Sequence, residues 1–239
     1  MTQELLSEGF RTRFRTNLLN WYREQGRKLP WRKEHNDPYR ILVSEIFLHQ
    51  TQVRTVVPVY KRFLKRFPTF EAIAQADLED IKVITDPLGY KVRGKWLHNI
   101  SKTVMEKYGG QLPDTLDELM KLEGIGRYTA GAILSFAFKK RAPIVDTNVE
   151  RIIRRVFALE EEPQNAATEK KIWRLTEELL PPEEEPQDIF DFNQGIMDLG
   201  AMICHAQQPK CPSCPLRRLC VRGKKFPRQK KLAEFTFKS

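Results

Sequence analysis

The sequence predicts an all-α protein. Segments such as YRILVSEIFLHQTQVRTVVPVYKRFLKRF and TAGAILSFAF place apolar residues three and four positions apart, which is the spacing of one helix face. Strand-like alternation of apolar and polar residues is scarce. The helical segments break at proline or glycine, in stretches such as FPTF, DPLGY and YGGQLPD. We therefore expect a chain of helices with short connections.

Length and charge narrow the class of protein. A chain of 28.1 kDa can fill one large or two small domains, and no apolar run is long enough to span a membrane. The N-terminal MTQELLSEGFRTRFRTNLL mixes charged and apolar residues, which predicts an amphipathic first helix in an intracellular protein (cytoplasm or nucleoid) rather than a signal peptide. A formal charge of +10 favours a polyanionic partner such as DNA or RNA.

All four cysteines lie within CHAQQPKCPSCPLRRLC, residues 204–220. A disulfide framework requires an oxidising compartment, which nothing in the sequence indicates. Four thiolates brought together by turns at proline instead suit a soft metal site, and both zinc and an iron-sulfur cluster fit that chemistry. The candidate ligands are Cys204, Cys211, Cys214 and Cys220.

Two glycines stand one residue apart in LEGIGRYTAGAILSF, residues 122–136. Gly124 and Gly126 permit a tight hairpin in front of a helix. The amides at the start of that helix, with Arg127 beside them, can hold a phosphate without reading base sequence. An ordinary turn between two helices is the alternative.

Two carboxylates are candidates for chemistry. Asp146, in PIVDTNVERIIRRVF, precedes an apolar-periodic segment and so also fits a helix N-cap. Glu45 lies among apolar residues in YRILVSEIFL. A carboxyl group in apolar surroundings has a raised pKa and can act as a general acid. The alternative is an ordinary helical glutamate that points to solvent, whose pKa burial does not raise.

These stretches together resemble the endonuclease III and MutY group of helix-hairpin-helix DNA glycosylases, from about residue 13 to residue 221. The resemblance implies that the four cysteines hold a 4Fe-4S cluster, with Arg217 and Arg218 beside it. It also implies that the hairpin binds DNA and that Asp146 stabilises the positive charge that develops on deoxyribose as the base departs. Asn148 would orient Asp146.

The candidate catalytic residues resemble those of one branch within this group. LPWRKEHNDPYRILVSEIFLHQTQV resembles the MutY adenine glycosylases, in which the matching glutamate, here Glu45, is catalytic, and Arg32 matches the active-site surroundings. Tyr128 stands where bifunctional relatives of endonuclease III carry a lysine. Without that amine no Schiff base can form, so we expect a monofunctional enzyme without AP-lyase activity.

The run HQTQ supplies the expected contacts with the base stack, although His49 departs from the glutamine typical of the family. Gln50 would wedge between bases, and Tyr90 would stack on them, unless Tyr90 is an ordinary core residue. The expected DNA-binding residues are Gln50, Thr51, Gln52, Tyr90, Gly124, Gly126 and Arg127.

The sequence does not decide which base is removed, because two branches of this group of glycosylases fit it. The HQTQ run and Tyr90 favour adenine opposite guanine or 8-oxoguanine, since Glu45 could protonate adenine N7. The thymine glycosylases that act on T:G and U:G mismatches are the alternative, because the ending RGKKFPRQKKLAEFTFKS is too short for the 8-oxoguanine-reading domain of MutY and DTN replaces its usual DGN. Thymine has no N7.

The prediction is thus an all-α, two-lobed helix-hairpin-helix glycosylase. Residues 31–139 would form a helical barrel domain, and residues 1–30 and 140–239 a discontinuous cluster domain ending in a basic tail. A base flipped out of mismatched double-stranded DNA would enter the cleft between them. We expect a monomer with no membrane partner and a downstream AP endonuclease. A catalytically silent DNA-binding protein and an iron-sulfur redox sensor are the alternatives from other classes.

Overall fold

The computed structural model describes residues 6–33, 37–159 and 165–224, and the regular elements among them are all helical, which confirms the predicted fold class. The predicted basic tail, residues 225–239, lies outside the described residues. Two short 3₁₀ turns span Asp86–Leu88 and Cys211–Ser213. The α-helices are α1 Glu8–Gln25, α2 Pro30–Lys33, α3 Pro38–Leu48, α4 Val53–Arg66, α5 Phe70–Ala74, α6 Leu78–Thr85, α7 Arg93–Tyr108, α8 Leu116–Met120, α9 Arg127–Phe136, α10 Thr147–Phe157, α11 Ala166–Leu179, α12 Pro186–Met202 and α13 Val221–Lys224.

Polar side chains begin several helices where the sequence places them. The Ser7 hydroxyl accepts a hydrogen bond from the Phe10 amide at the start of α1, the predicted amphipathic first helix. Asp37 accepts hydrogen bonds from two amides of the first turn of α3, and Pro38 follows it in the first helical position, where its missing N–H costs nothing. None of the helices among the residues described is both long and apolar enough to cross a membrane.

The helices form two compact units. The first, here called the cysteine unit, comprises the described residues within 1–26, 145–180 and 191–239. The second, here called the hairpin unit, comprises those within 27–144 and 181–190.

The core of the hairpin unit is built on α3 and α9, which pack against each other. Nearly every residue of α3 from Tyr39 to Phe47 is buried, as are the residues of α9 from Thr129 to Phe136. Such all-round burial identifies two central helices rather than surface ones. Edge-to-face aromatic pairs, among them Phe47 on Phe63, extend this core to α4.

The core of the cysteine unit joins helices far apart in the chain. Phe10 and Phe14 of α1 contact Phe157 and Phe192 respectively, with ring centroids 5.7 Å and 6.0 Å apart. The Arg15 guanidinium donates to the carbonyls at the end of α11. These contacts fix α1 against α10, α11 and α12.

The division differs from the predicted boundaries at residues 27–30 and 140–144, which shift the two boundaries by a few positions, and at residues 181–190. We predicted that all of residues 140–239 belong with the cysteines, whereas residues 181–190 pack within the hairpin unit. The Phe190 ring contacts Phe136 edge-to-face at 5.6 Å, and Arg141 Nε donates to the Pro181 carbonyl at 3.0 Å. These tertiary contacts hold the segment.

Candidate functional site

Glu45 lies on α3 with only 3% of its surface exposed. Its helix neighbours Leu42, Val43, Ile46 and Phe47 are fully buried. This burial excludes the alternative of a solvent-facing glutamate. Burial of this kind in general disfavours the charged form of a carboxyl group, which suits a general acid.

The segment that follows α3 reverses direction at Gln50. Gln50 adopts φ +52°, an uncommon conformation for a residue other than glycine, and its side chain is exposed. Thr51 Oγ1 donates to the Leu88 carbonyl at 3.1 Å, and Gln52 occupies the N-cap position of α4. Gln50 therefore projects from a turn that its neighbours hold in place.

His49 is half-buried and turned toward the start of α9. Its Nε2 lies 3.2 Å from Thr129 Oγ1, and its ring meets Trp96 edge-to-face at 5.9 Å. Burial, and secondarily the charge of Arg93, lowers the pKa of His49. The imidazole is thus neutral at physiological pH and hydrogen-bonds within the protein.

Tyr90 is 43% exposed, which excludes its interpretation as a core residue. One edge of its ring packs against Trp96, with centroids 5.5 Å apart. The exposed part of the ring remains available to a ligand.

The fold requires glycine at only one of the two hairpin positions. Gly124 has φ +79°, and a Cβ there would lie 2.4 Å from Trp96 Cδ2, so the fold itself demands glycine. Gly126 has φ −90°, which any residue adopts, and a Cβ there would meet nothing within 4 Å. The fold therefore gives no reason for glycine at position 126, whereas close approach of a ligand backbone would.

Gly126 is also the N-cap of α9. It has no side chain to accept from the amides of the first helical turn, which have no acceptor within the helix. Arg127 is exposed beside these amides and Tyr128 is half-buried. Arg32, on α2, donates from Nη1 to the Arg27 carbonyl at 2.8 Å.

Asp146, in the cysteine unit, is the N-cap of α10. Its Oδ1 accepts from the Val149 amide at 2.7 Å, and its Oδ2 accepts from Asn148 Nδ2 at 2.8 Å. Asn148 is in turn confined by Gly200, where a Cβ would lie 2.4 Å from the Asn148 Cβ. The structure therefore bears out the capping role and also fixes the orientation of the carboxylate.

Arg151 ties this pair to the cysteine loop. Its Nη2 donates to Asn148 Oδ1 at 2.7 Å and to the Gly200 carbonyl at 3.0 Å, and its Nε donates to the Cys204 carbonyl at 2.8 Å. The position of Asp146 thus depends on the first cysteine through two intervening side chains.

The four cysteines line one small cavity of about 30 Å³. Apolar side chains from α10 and α12 close it, and Arg155, Arg217 and Arg222 also line it. Arg155 Nη1 donates to Cys204 Sγ at 3.3 Å, and the Gly223 amide donates to Cys220 Sγ at 3.2 Å. Both contacts suit a thiolate.

Burial affects the titration of three of these thiols. Burial raises the pKa of Cys214 to about 12 and also raises the pKa values of Cys211 and Cys220. Within the described ranges no group of three or more His, Cys, Asp or Glu side chains is arranged so that it could hold a metal ion. The four thiols nevertheless line the same cavity.

The structure brings several of the predicted residues of the hairpin unit together. In the hairpin unit Trp96 contacts His49, Tyr90 and Gly124, so the HQTQ turn, the Tyr90 segment and the hairpin meet on one indole ring. Glu45 belongs to the hairpin unit and Asp146 to the cysteine unit. The sequence analysis did not identify Trp96, Arg93 or Arg151. Of these three residues, only Trp96 could have been noticed, as an aromatic residue within GKWL.

An exposed glycine hairpin that opens a central helix, in an all-helical chain with net positive charge, defines the helix-hairpin-helix class of DNA-binding proteins. The model of the HhH-GPD superfamily base excision DNA repair proteins matches residues 43–178, and the chain belongs to that superfamily. The resemblance found in the sequence is thus confirmed.

Similar proteins point to two branches of this superfamily. The adenine DNA glycosylase of Rattus norvegicus is 41% identical over 217 residues, which are 87% of this chain and 41% of the rat protein. The thymine/uracil-DNA glycosylase of Pyrobaculum aerophilum is 37% identical over 225 residues, 92% of this chain and 96% of that protein. The solved structure of a thermostable thymine-DNA glycosylase superimposes with a TM-score of 0.81 at 33% identity, covering 90% of this chain and 97% of that one. The chain spans about two fifths of the length of the mammalian adenine glycosylases it matches.

Proposed function

We propose that this chain is a monofunctional DNA glycosylase of base excision repair that hydrolyses the N-glycosidic bond of a mispaired base. The base is adenine opposite guanine or 8-oxoguanine. The observation that carries the proposal is Glu45, an acidic residue only 3% exposed on the central helix α3, which leads directly into the HQTQ turn with its exposed Gln50. The adenine DNA glycosylases at about 40% identity support this choice of base.

In the proposed reaction Glu45 donates a proton to adenine N7. Protonation makes the base a good leaving group, because the electron pair of the glycosidic bond then neutralises a positive ring. A buried carboxyl group is in general protonated more readily than an exposed one, which suits a group that donates a proton.

Asp146 stabilises the positive charge that develops on the deoxyribose. The hydrogen bonds from the Val149 amide and from Asn148 hold both carboxylate oxygens, so no reorganisation is needed when the charge appears. Water then adds to the sugar and leaves an abasic site. Arg32 would contribute to the surroundings of the base.

Thymine or uracil opposite guanine is the second candidate. The thymine/uracil glycosylase of Pyrobaculum aerophilum aligns over 96% of its own length, whereas the mammalian adenine glycosylases align over 41% of theirs. Thymine offers no N7, so Glu45 would then act on a base carbonyl or on water.

The surface around Trp96 is the proposed DNA contact. The first-turn amides of α9 and Arg127 would hold the backbone, and Gln50 and Tyr90 would enter the base stack, with Thr51 and Gln52 framing the turn. Extrusion of a nucleotide costs a few kcal/mol and costs least at a mismatch, which gives selectivity before any chemistry.

Replacing Gly126 with alanine tests the backbone contact. We expect Gly126→Ala to weaken binding to duplex DNA about tenfold, because a Cβ would obstruct a phosphate at charge-assisted amide donors. The melting temperature should change by only a few degrees, since φ is ordinary and the site is open, and the weaker N-cap preference of alanine offsets the gain from a less flexible unfolded chain. Fluorescence anisotropy measures the binding. Gly9→Ala, the same change at another open glycine, should leave binding unchanged, and equal binding by both variants would contradict the contact.

The four cysteines are proposed to hold a 4Fe-4S cluster. The donor set is purely thiol, the cavity is mostly apolar, and three guanidinium groups offset the charge of thiolates. The observed residues therefore fit such a group, which would supply a rigid, charged scaffold beside DNA. Arg151 and Asn148 would carry its structural effect to Asp146.

Metal analysis tests this assignment. We expect anaerobically purified protein to be brown and to contain iron and acid-labile sulfide in equal amounts, and Cys214→Ser to lose both. Ser213→Ala, in the same loop, should retain them. A colourless protein that contains zinc and no iron would reject the cluster.

The function as a whole is tested by single-turnover base release. Duplexes would carry A opposite 8-oxoguanine, A opposite G, T opposite G or U opposite G. Adenine release supports the first candidate, and thymine or uracil release supports the second. Tight mismatch binding without release would instead indicate a silent DNA-binding protein, and DNA affinity that switches with oxidation of the cluster would indicate a redox sensor.

The same reactions also test whether the enzyme cleaves the DNA strand at the abasic site. Because Tyr128 carries no amine, borohydride should trap no covalent adduct and the strand should stay intact. The abasic site would then pass to a downstream AP endonuclease. We expect the enzyme to act as a monomer.

A further inference from the structure

Arg93, the first residue of α7, is a fully buried cation. Its Nε donates to the Ile46 carbonyl at 3.0 Å and its Nη1 to the Leu88 carbonyl at 3.2 Å. Its Nη2 donates to the His49 carbonyl and, at 2.5 Å, to Thr51 Oγ1. One guanidinium therefore ties the end of α3 and the turn after it, residues 46–51, to Leu88, the residue that ends the short 3₁₀ turn before α7.

Two of these acceptors lie at the end of α3. The last carbonyls of a helix have no amide partner within it, and that end carries partial negative charge. The guanidinium satisfies carbonyls at the end of the helix that carries Glu45. Such a fork of donors has a geometry that lysine cannot reproduce.

The same contacts fix the two exposed residues of the proposed base-stack contact. Gln50, at φ +52°, lies between His49 and Thr51, both of which Arg93 holds. A residue other than glycine keeps this conformation only when its surroundings determine it. The Tyr90 ring lies over the guanidinium, with its centroid 5.7 Å from Cζ.

We propose that Arg93 is a positioning residue that presents Gln50 and Tyr90 together to the base stack. It acts on extrusion of the nucleotide rather than on cleavage of the glycosidic bond. This inference rests on the proposed glycosylase function. It goes beyond that function because it assigns the coupling of two DNA contacts to a side chain that cannot reach the DNA itself.

The test compares two substrates for each variant. In the first the target base faces its mismatched partner, and in the second it faces an abasic-site analogue, so that no pairing opposes extrusion. We expect Arg93→Lys to lower single-turnover release from the mismatch about a hundredfold. Release from the second duplex should stay within about threefold of the wild-type rate, because extrusion there costs little.

Controls separate positioning from folding. Lys102→Met removes an exposed cation from the same helix and should match the wild-type protein on both substrates. Thr51→Val removes one acceptor of the guanidinium with little change of shape, and it should reproduce the substrate dependence even if Arg93→Lys does not fold. Gln50→Ala should show the same dependence.

The outcomes are distinguishable. Equal losses on both substrates in Arg93→Lys, or in Thr51→Val if the first variant does not fold, would overturn the positioning role and leave the proposed function intact. Absence of base release by the wild-type protein from every mismatch would overturn both.

Discussion

Replacing Glu45 with glutamine is expected to lower single-turnover release of adenine by about a hundred- to ten-thousandfold, the range typical of a lost general acid. Glutamine has nearly the same shape but no acidic proton, so the change removes the chemistry and leaves the packing of α3 largely as it is. The protein should bind mismatched DNA with wild-type affinity. Base release followed by chromatography, beside a binding measurement, separates these effects.

The exposed Glu79 provides a matched control for this substitution. It lies on α6 in the same unit and pairs with Lys82 at the surface, where solvent screens the interaction and an ion pair adds little to stability. Glu79→Gln should therefore release adenine at the wild-type rate. A wild-type rate in Glu45→Gln would show that another group protonates the base. A loss confined to thymine or uracil substrates would assign Glu45 to the alternative chemistry.

Replacing Asp146 with asparagine is expected to lower release of the base about a hundred- to a thousandfold, whichever base it is. The carboxylate charge is lost while Oδ1 can still accept from the Val149 amide, and asparagine caps a helix as well as aspartate does. The hydrogen bond from Asn148 to Oδ2 is lost, because an NH2 group replaces that oxygen, so stability should fall by about 1 kcal/mol. This variant separates the two roles of Asp146, because only the catalytic role requires the charge.

Asp37→Asn makes the same change at another helix N-cap. Asp37 accepts from the Tyr39 and Arg40 amides at the start of α3, as Asp146 does at the start of α10. We expect Asp37→Asn to keep the wild-type rate of base release and a similar melting temperature. If Asp146→Asn also kept that rate, with both proteins folded, capping alone would explain the aspartate.

Much of the fold follows from local sequence signals. The all-α class, the amphipathic first helix and the cap at Asp146 depend on residues within a few positions of one another. Helix periodicity and capping are local properties, so a sequence read alone reveals them. The family was also predictable, because several of its motifs are short and contiguous.

For other residues the sequence identified a candidate but did not decide whether its side chain is buried or exposed. Glu45 and Tyr90 each had two interpretations in the sequence, and burial of the first and exposure of the second decided between them. The pair Gly124 and Gly126 suggested one hairpin. Only the contact with Trp96 distinguished the glycine that the fold requires from the one that it does not.

The sequence by itself determined the helical class, the family and the identities of the candidate catalytic and cysteine residues. The tertiary structure alone decided that Arg93 is buried, that it joins Ile46, His49 and Leu88, and that residues 181–190 pack within the hairpin unit. The physical reason is sequence separation. Arg93 meets Ile46 across 47 positions, and no local pattern encodes a contact that exists only once α3 and α7 have packed.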